Sequence, residues 1–270
     1  MEITSARSAP VARARRLHKR AFRAADRRFL AEGPQAVREA LAGGDRVVEV
    51  FATAEAGKRF PELPAAAAAA DIPWHLASGA VVDELCSTVT PQGVVAVCRM
   101  PEVTLEEAMA GASPRLVAVL AHVRDPGNAG TVIRVADAAG ADAVVLTDGS
   151  VDAYNPKCVR ASAGSIFHLP VIAGGEPAAL VAQLAAHGCQ IFAADGAEGE
   201  SLPEVRRTGD LAGATAWLFG NEAWGLPPDI ARLADRRVAV PIYGLAESLN
   251  LSTAAAVCLY ASAEAQRADH

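Results

Sequence analysis

Apolar positions along this chain fall into two regimes. Through the first hundred residues, short apolar runs alternate with helical stretches. Arg7 to Arg20 is predicted helical and Arg28 to Ala31 extended. Pro34 to Leu41 reads as a helix opened by proline at its first position and stopped by Gly43-Gly44. Arg46 to Ala52 (RVVEVFA) is a strand, followed by an Ala-rich helical stretch through the alanine run at 65–70. A short strand (Ile72 to His75), a helix (Gly79 to Leu85) and a third strand (Gly93 to Arg99) complete this part. From Arg115 the units lengthen. Leu116 to Ala121 (LVAVLA) is continuously apolar, as in a strand buried on both faces of a parallel sheet.

Further strands are predicted at Ala143 to Leu146, Gln190 to Ala194, Ala216 to Phe219 and Arg237 to Val240. Helices are predicted from Asn128 to Gly140, near Pro156 to Ser162, from Glu176 to His187 and from Asp229 to Ala234. A last helix, Leu249 to Ala265, has almost no polar face before Glu264 and must be buried on more than one side. Either a second subunit or a neighbouring helix of the same chain covers it. The alternation predicts an α/β protein: a small N-terminal α/β domain over 1–99, a linker over 100–114 and a parallel-sheet domain over 115–270.

Composition narrows the class. With 51% hydrophobic and 21% charged residues in 270, global disorder is excluded. No uninterrupted apolar stretch reaches the eighteen or so residues of a membrane span, and the Arg-rich N-terminus lacks the apolar core of a secretory signal. Five scattered cysteines with no CxxC or CxxH pair suggest neither disulfides nor a zinc site, so no metal is expected and the protein reads as cytoplasmic. The net charge of −6 is uneven. Residues 1–28 hold nine basic side chains against two acids, a charge of +7 that leaves −13 for the rest. That segment is either a solvated helix face or an arm for nucleic-acid phosphates.

Phosphate-cradling motifs are absent: there is no GxxxxGK[ST], and no GxGxxG follows a strand. Three other clusters each follow a predicted strand, where ligands bind in open parallel sheets. The first, Asp125 to Arg134, contains Asn128, which could simply cap its helix. The second, Leu218 to Leu226, places Glu222 at a strand end. The third, Val240 to Ser252, carries Ser248 and Asn250 into the last helix. Together they are NxGxxxRxAxxxG (Asn128 to Gly140), LFGNExxGL (Leu218 to Leu226) and VPIxGxxxSLNLSxAAA (Val240 to Ala256).

This ordered set resembles the three signature motifs of the SpoU, or TrmH-like, RNA ribose 2′-O-methyltransferases of the SPOUT superfamily. Tyr154 to Gly164 resembles the family's loop between the first and second motifs. The first ninety-odd residues, including Phe29-Leu-Ala-Glu-Gly33, resemble the attached substrate-binding domain, with a ribosomal-protein-like RNA-binding fold. The resemblance implies S-adenosylmethionine as cofactor, a deep trefoil knot, RNA as partner and a homodimer through the catalytic domain. By position, Gly220, Val240 and Leu249 match cofactor-contacting residues, with Leu218 and Ile242 close by. Arg134, Asn128, Glu222, Ser248 and Asn250 match catalytic and substrate-binding positions.

The resemblance implies that Arg134 is the residue to which the family's proton-handling role is proposed to belong. A guanidinium is not deprotonated in proteins, so here it is expected to clamp phosphate and stabilise alkoxide charge, oriented by Asn128. A phosphate oxygen or water would take the proton. Ribosomal RNA is favoured over tRNA as the target, including a site linked to antibiotic resistance. The competing reading is a catalytically inactive RNA-binding or assembly protein of the same fold.

Overall fold

The computed structural model describes residues 2–110, 115–196 and 199–267. The chain divides into two compact units, one of Met1–Glu102 with Tyr154–His168 and one of Val103–Ala153 with Leu169–His270. The first contains α1 (Ala9–Arg16), α2 (Arg20–Asp26), β1 (Arg28–Glu32), α3 (Pro34–Ala42), β2 (Val47–Ala52), α4 (Ala54–Arg59), α5 (Glu62–Ala69), β3 (Trp74–Leu76), α6 (Gly79–Leu85) and β4 (Val94–Arg99). Its sheet has the order β1-β4-β2-β3, with only β2 and β3 parallel.

The helix expected over Arg7 to Arg20 ends at Arg16, and a further helix that was not expected follows from Arg20 to Asp26. Arg23 lies just beyond the break, buried, and donates its Nη1 to the carbonyls of Leu17 and His18, both at 2.8 Å. These are the end carbonyls that a helix leaves unpaired. Nor is the basic segment a loose arm, because Val11, Ala14 and Leu17 are buried in one apolar cluster with Leu30, Val81 and Val97. Much of its charge is also neutralised. Arg15, Arg16 and Arg27 pair with Glu84, Asp26 and Glu102, leaving Arg7, Arg13, Lys19, Arg20 and Arg28 without an acidic partner among the described residues.

The second unit runs α7 (Leu105–Met109), β5 (Leu116–Leu120), α8 (Pro126–Ala138), β6 (Ala143–Leu146), β7 (Val171–Ala173), α10 (Pro177–Ala186), β8 (Gln190–Ala194), β9 (Glu200–Ser201), α11 (Leu202–Arg207), β10 (Thr215–Phe219), α12 (Pro228–Ala231), β11 (Arg236–Ala239) and α13 (Leu251–Arg267). Helix α9 (Pro156–Ala161), between β6 and β7 in the chain, belongs to the first unit. Seven parallel strands take the order β7-β6-β5-β10-β8-β11-β9. The α/β class with a parallel sheet in the C-terminal part and a small N-terminal α/β unit is as the sequence predicts. Strands β7 and β9 were not expected, since two or three residues carry no readable period.

Two parts of the expected division differ. The stretch read as a linker carries α7, opened by a reciprocal Thr104–Glu107 capping box, and buries Leu105 and Met109 in the core of the second unit. Residues 111–114 of that stretch lie outside the described residues. Segment 154–168, assigned by sequence to the parallel-sheet domain, is held in the first unit by specific contacts. Arg160 Nη1 donates to Glu32 Oε2 at 3.2 Å and to Ser87 Oγ at 2.9 Å, and the Tyr154 ring lies 4.8 Å from that of Phe29.

Helix α13 packs on α8, on α11 and on the sheet, so helices of its own chain cover part of it. Leu251, Ala255, Cys258, Leu259 and Ser262 are buried, whereas Thr253, Val257, Tyr260 and Glu264 form an exposed stripe. Its deepest polar contact joins it to the central strand: Trp217 Nε1 donates to Ser262 Oγ at 2.9 Å, both side chains fully buried. Ser262→Ala would leave that indole N–H without a partner. The expected loss is about 1–3 kcal/mol of unfolding free energy, to be measured by urea denaturation followed through tryptophan fluorescence.

Candidate active site

The three motif loops all leave the C-terminal ends of parallel strands. Residues 121–125 follow β5, 220–227 follow β10, and 240–250 follow β11. The chain builds outward from β5 to β7 on one side and returns to β8 beyond β10, so β5 and β10 flank the point where strand order reverses. Ligands of open α/β sheets bind at that place.

Each loop has its own local logic. Asp125 caps α8, its carboxylate accepting from Asn128 N at 2.8 Å. The Asn128 side chain is therefore released from capping. Its Nδ2 donates to Glu222 Oε1 at 2.7 Å, and its Oδ1 accepts from Asn250 Nδ2 at 3.1 Å. Asn250 turns its own Oδ1 to the start of α13, accepting from Ser252 N at 2.9 Å and Ser252 Oγ at 2.7 Å. One chain of hydrogen bonds, Glu222–Asn128–Asn250, thus ties all three loops together.

The second loop is a tight reversal. Asn221 N donates to Gly225 O and Gly225 N to Asn221 O, at 2.9 and 2.8 Å. Buried Asn221 also donates Nδ2 to His122 O at 3.1 Å and accepts from Ala223 N at 2.9 Å. The tip, Glu222-Ala223-Trp224, stands on this frame. A Cβ on Gly220 would overlap the backbone of Gly225 and Leu226, so only glycine closes the turn.

Behind the loops lies a cavity of about 520 Å³, bounded by the ends of β8, β10 and β11 and the first turn of α13. Phe219, Val238, Val240 and Leu251 give it apolar walls, and Asp195, Glu222 and Glu247 contribute carboxylates. That size suits a nucleoside-sized ligand. A slot of apolar and backbone groups with nearby acids also suits one carrying an aromatic base and positive charge, as S-adenosylmethionine does.

Of the residues singled out by sequence, Gly220, Val240, Ile242 and Leu249 line the cavity, as do Glu222 and Ser248. Asn128 and Asn250 join it through Glu222. Leu218 does not line it: strand alternation turns this side chain into the apolar core, fully buried. Arg134 also stands apart. Six residues beyond Asn128, it is about 9 Å further along α8 and roughly 240° around it. It is exposed and has neither hydrogen bond nor ion pair among the described residues. The expected orientation of Arg134 by Asn128 is not found, because Glu222 and Asn250 occupy that amide.

Asn221, His122, Arg124 and Trp224 were missed by sequence reading. Asn221 stood inside a recognised motif, while Trp224 occupies one of its variable positions. His122, with φ +55°, and Arg124 are adjacent to a motif but outside it.

Residues 115–260 match the SpoU rRNA Methylase family, and residues 30–104 match the domain described as RNA 2′-O ribose methyltransferase substrate binding. The chain belongs to the SpoU rRNA methylase family. The resemblance read from its motifs is borne out, and the enzyme class is the family's: an RNA ribose 2′-O-methyltransferase using S-adenosylmethionine. The 23S rRNA (guanosine(2553)-2′-O)-methyltransferase RlmP of Bacillus subtilis is 36% identical over 260 residues, 96% of this chain and 98% of the relative. The AdoMet-bound rRNA methyltransferase of Sinorhizobium meliloti superposes with a TM-score of 0.83 at 29% identity, covering 97% of both chains. The SpoU methyltransferase AviRb of Streptomyces viridochromogenes, in complex with AdoMet, gives 0.83 at 28% identity, covering 97% of this chain and 100% of that one.

Gly220→Ala is expected to weaken S-adenosylmethionine binding at least tenfold, because the new methyl must push the Gly225–Leu226 backbone aside. Isothermal titration calorimetry, with circular dichroism as a check on folding, measures this.

Proposed function

We propose that this protein methylates a ribose 2′-hydroxyl of 23S ribosomal RNA in the cytoplasm, acting as a homodimer. The observation that carries the reading is the hydrogen-bonded chain Glu222–Asn128–Asn250, which joins three separate strand ends and whose Glu222 lines the cavity. The names of the relatives favour ribosomal RNA over tRNA as substrate. The test is to incubate the purified protein with labelled S-adenosylmethionine and unmodified 23S rRNA, then map the product nucleotide. Cofactor binding without label transfer would favour the non-catalytic RNA-binding reading.

Bound S-adenosylmethionine supplies an electrophilic methyl on a sulfonium and is left as the neutral thioether. The ribose oxygen must be held in line, within about 3–3.5 Å, and must lose its proton. Glu222 holds Asn128, and Asn128 with Asn250 presents a fixed amide edge to the ribose. Ser248, on the cavity wall, offers a hydroxyl to the same region. Arg134 binds phosphate beside the target and stabilises the charge developing on oxygen. The proton passes to a phosphate oxygen or to water, since the guanidinium cannot accept it.

Two observations support the dimer. Arg134, away from its own cavity, has no hydrogen bond or ion pair among the described residues and is available to a partner's cavity. The stripe Val257–Tyr260 and the apolar Tyr243, Leu245 and Ile242 of the third loop are exposed on the unit that holds the cavity. The trefoil knot implied by the family is part of this proposal.

Arg134→Ala is expected to lower single-turnover methylation at least a hundredfold while S-adenosylmethionine affinity stays within a few-fold. Mixed with Gly220→Ala subunits, it should regain part of the activity through heterodimers whose intact cavity faces an intact Arg134. A fully active monomer in light scattering would contradict this.

The RNA arm reduces to the cations left unpaired. Changing Arg13, Lys19, Arg20 and Arg28 together to Gln should flatten the slope of log K against log salt by about 3, whereas Arg15→Gln with Arg16→Gln should change it by less than about 1. Filter binding across a salt series separates the two. Deleting residues 1–28 is the poorer test, because it strips Val11, Ala14 and Leu17 from the core.

A further inference from the structure

Trp224 is a large aromatic residue, 55% exposed, at the tip of the loop that carries Glu222. It is fixed there, since the Asn221–Gly225 reversal and the Asn221–His122 bond hold the tip from both sides. Arg124 lies against it, with the guanidinium carbon 5.3 Å from the ring centroid. Arg124 is itself exposed and makes no hydrogen bond or ion pair among the described residues. Both residues flank the start of α8, so the tip reaches Asn128 through Glu222 and Arg124 through Trp224.

We propose that Trp224 and Arg124 form the platform that receives the RNA substrate at the mouth of the cavity. An unpaired base stacks on the indole, and the guanidinium binds a phosphate of the same strand. The inference rests on the methyltransferase reading and names how this site holds its substrate. Aromatic faces bind bases of any sequence by stacking, and an arginine against the ring adds a charge that attracts the RNA backbone. Charge decides against the cofactor as the ligand of this pair. S-adenosylmethionine is a net monocation, its sulfonium and ammonium outweighing one carboxylate, whereas RNA carries a negative charge at every phosphate. Position agrees, because Trp224 lies on the cavity wall but Arg124 does not.

The test uses the full-length protein with in vitro transcribed 23S rRNA and three variants: Trp224→Ala, Trp224→Phe and Arg124→Gln. Trp224→Ala should raise the RNA concentration for half-maximal single-turnover rate about ten- to a hundredfold, a larger effect than on S-adenosylmethionine affinity, which changes modestly because Trp224 also lies on the cavity wall. Trp224→Phe, which keeps a ring, should recover most of the loss. Arg124→Gln should weaken RNA binding several-fold and lower its salt dependence by about one phosphate.

Fluorescence gives a second readout that does not require turnover. RNA should quench the wild-type protein more than Trp224→Phe, because Trp217 is fully buried and Trp74 lies in the other unit. Unchanged RNA dependence in Trp224→Ala, a loss confined to cofactor binding, or a change of oligomeric state instead would each overturn the proposal. Should the wild type transfer no methyl to RNA, the functional reading fails. A wild type that methylates while the variants match it removes only the platform.

Discussion

Strands β5 and β10 are distant in sequence, yet they pair in parallel from Thr215 opposite Leu116 to Phe219 opposite Leu120, buried along their whole length. Parallel pairing sends both strands out of the sheet at the same edge, so the loop after Ala121 and the loop after Phe219 must emerge side by side. The Asn221–His122 hydrogen bond then locks one loop to the other, and the Glu222–Asn128 bond becomes possible. A register slip of one residue would turn each side chain of a strand to the opposite face. Leu218 would leave the core, and Gly220 would no longer stand where its missing side chain is required.

That missing side chain explains the site's unusual composition. Backbone runs against backbone at Gly220 and again at Gly199, leaving no volume for side chains. A cavity enclosed this way presents strand-end carbonyls, amide groups and short apolar residues. It can grip an aromatic base with few charged residues. Polar side chains on the wall, Asp195, Glu222, Glu247 and Ser248, stand beside these groups, and Glu222 carries the hydrogen bonds on to Asn128 and Asn250.

Charge follows a similar division. The protein is acidic outside its first 28 residues, so unpaired cations are conspicuous there. Within the basic segment, internal ion pairs consume several arginines, and Arg23 serves the α1–α2 corner instead of solvent. Outside that segment Arg134 and Arg124 are exposed and make no hydrogen bond or ion pair among the described residues.

The sequence alone determined the α/β class, the positions of most strands and helices, and the three motifs that identify the family. Those features are local: an unbroken apolar run such as Leu116 to Ala121 states its own burial, and a proline at 34 or a glycine pair at 43–44 marks its own boundary. Tertiary structure decided what depends on residues far apart in the chain. Asn250 reaches Asn128 across 122 positions, Arg160 reaches Glu32 across 128, and Arg124 meets Trp224 only because β5 lies beside β10. It likewise decided that Asn128 serves Glu222 and Asn250 rather than Arg134, and that Asp125 caps the helix in its place. Periodicity records which face of an element is buried. The partner that buries it is fixed by strand order and register, and those are properties of the assembled sheet.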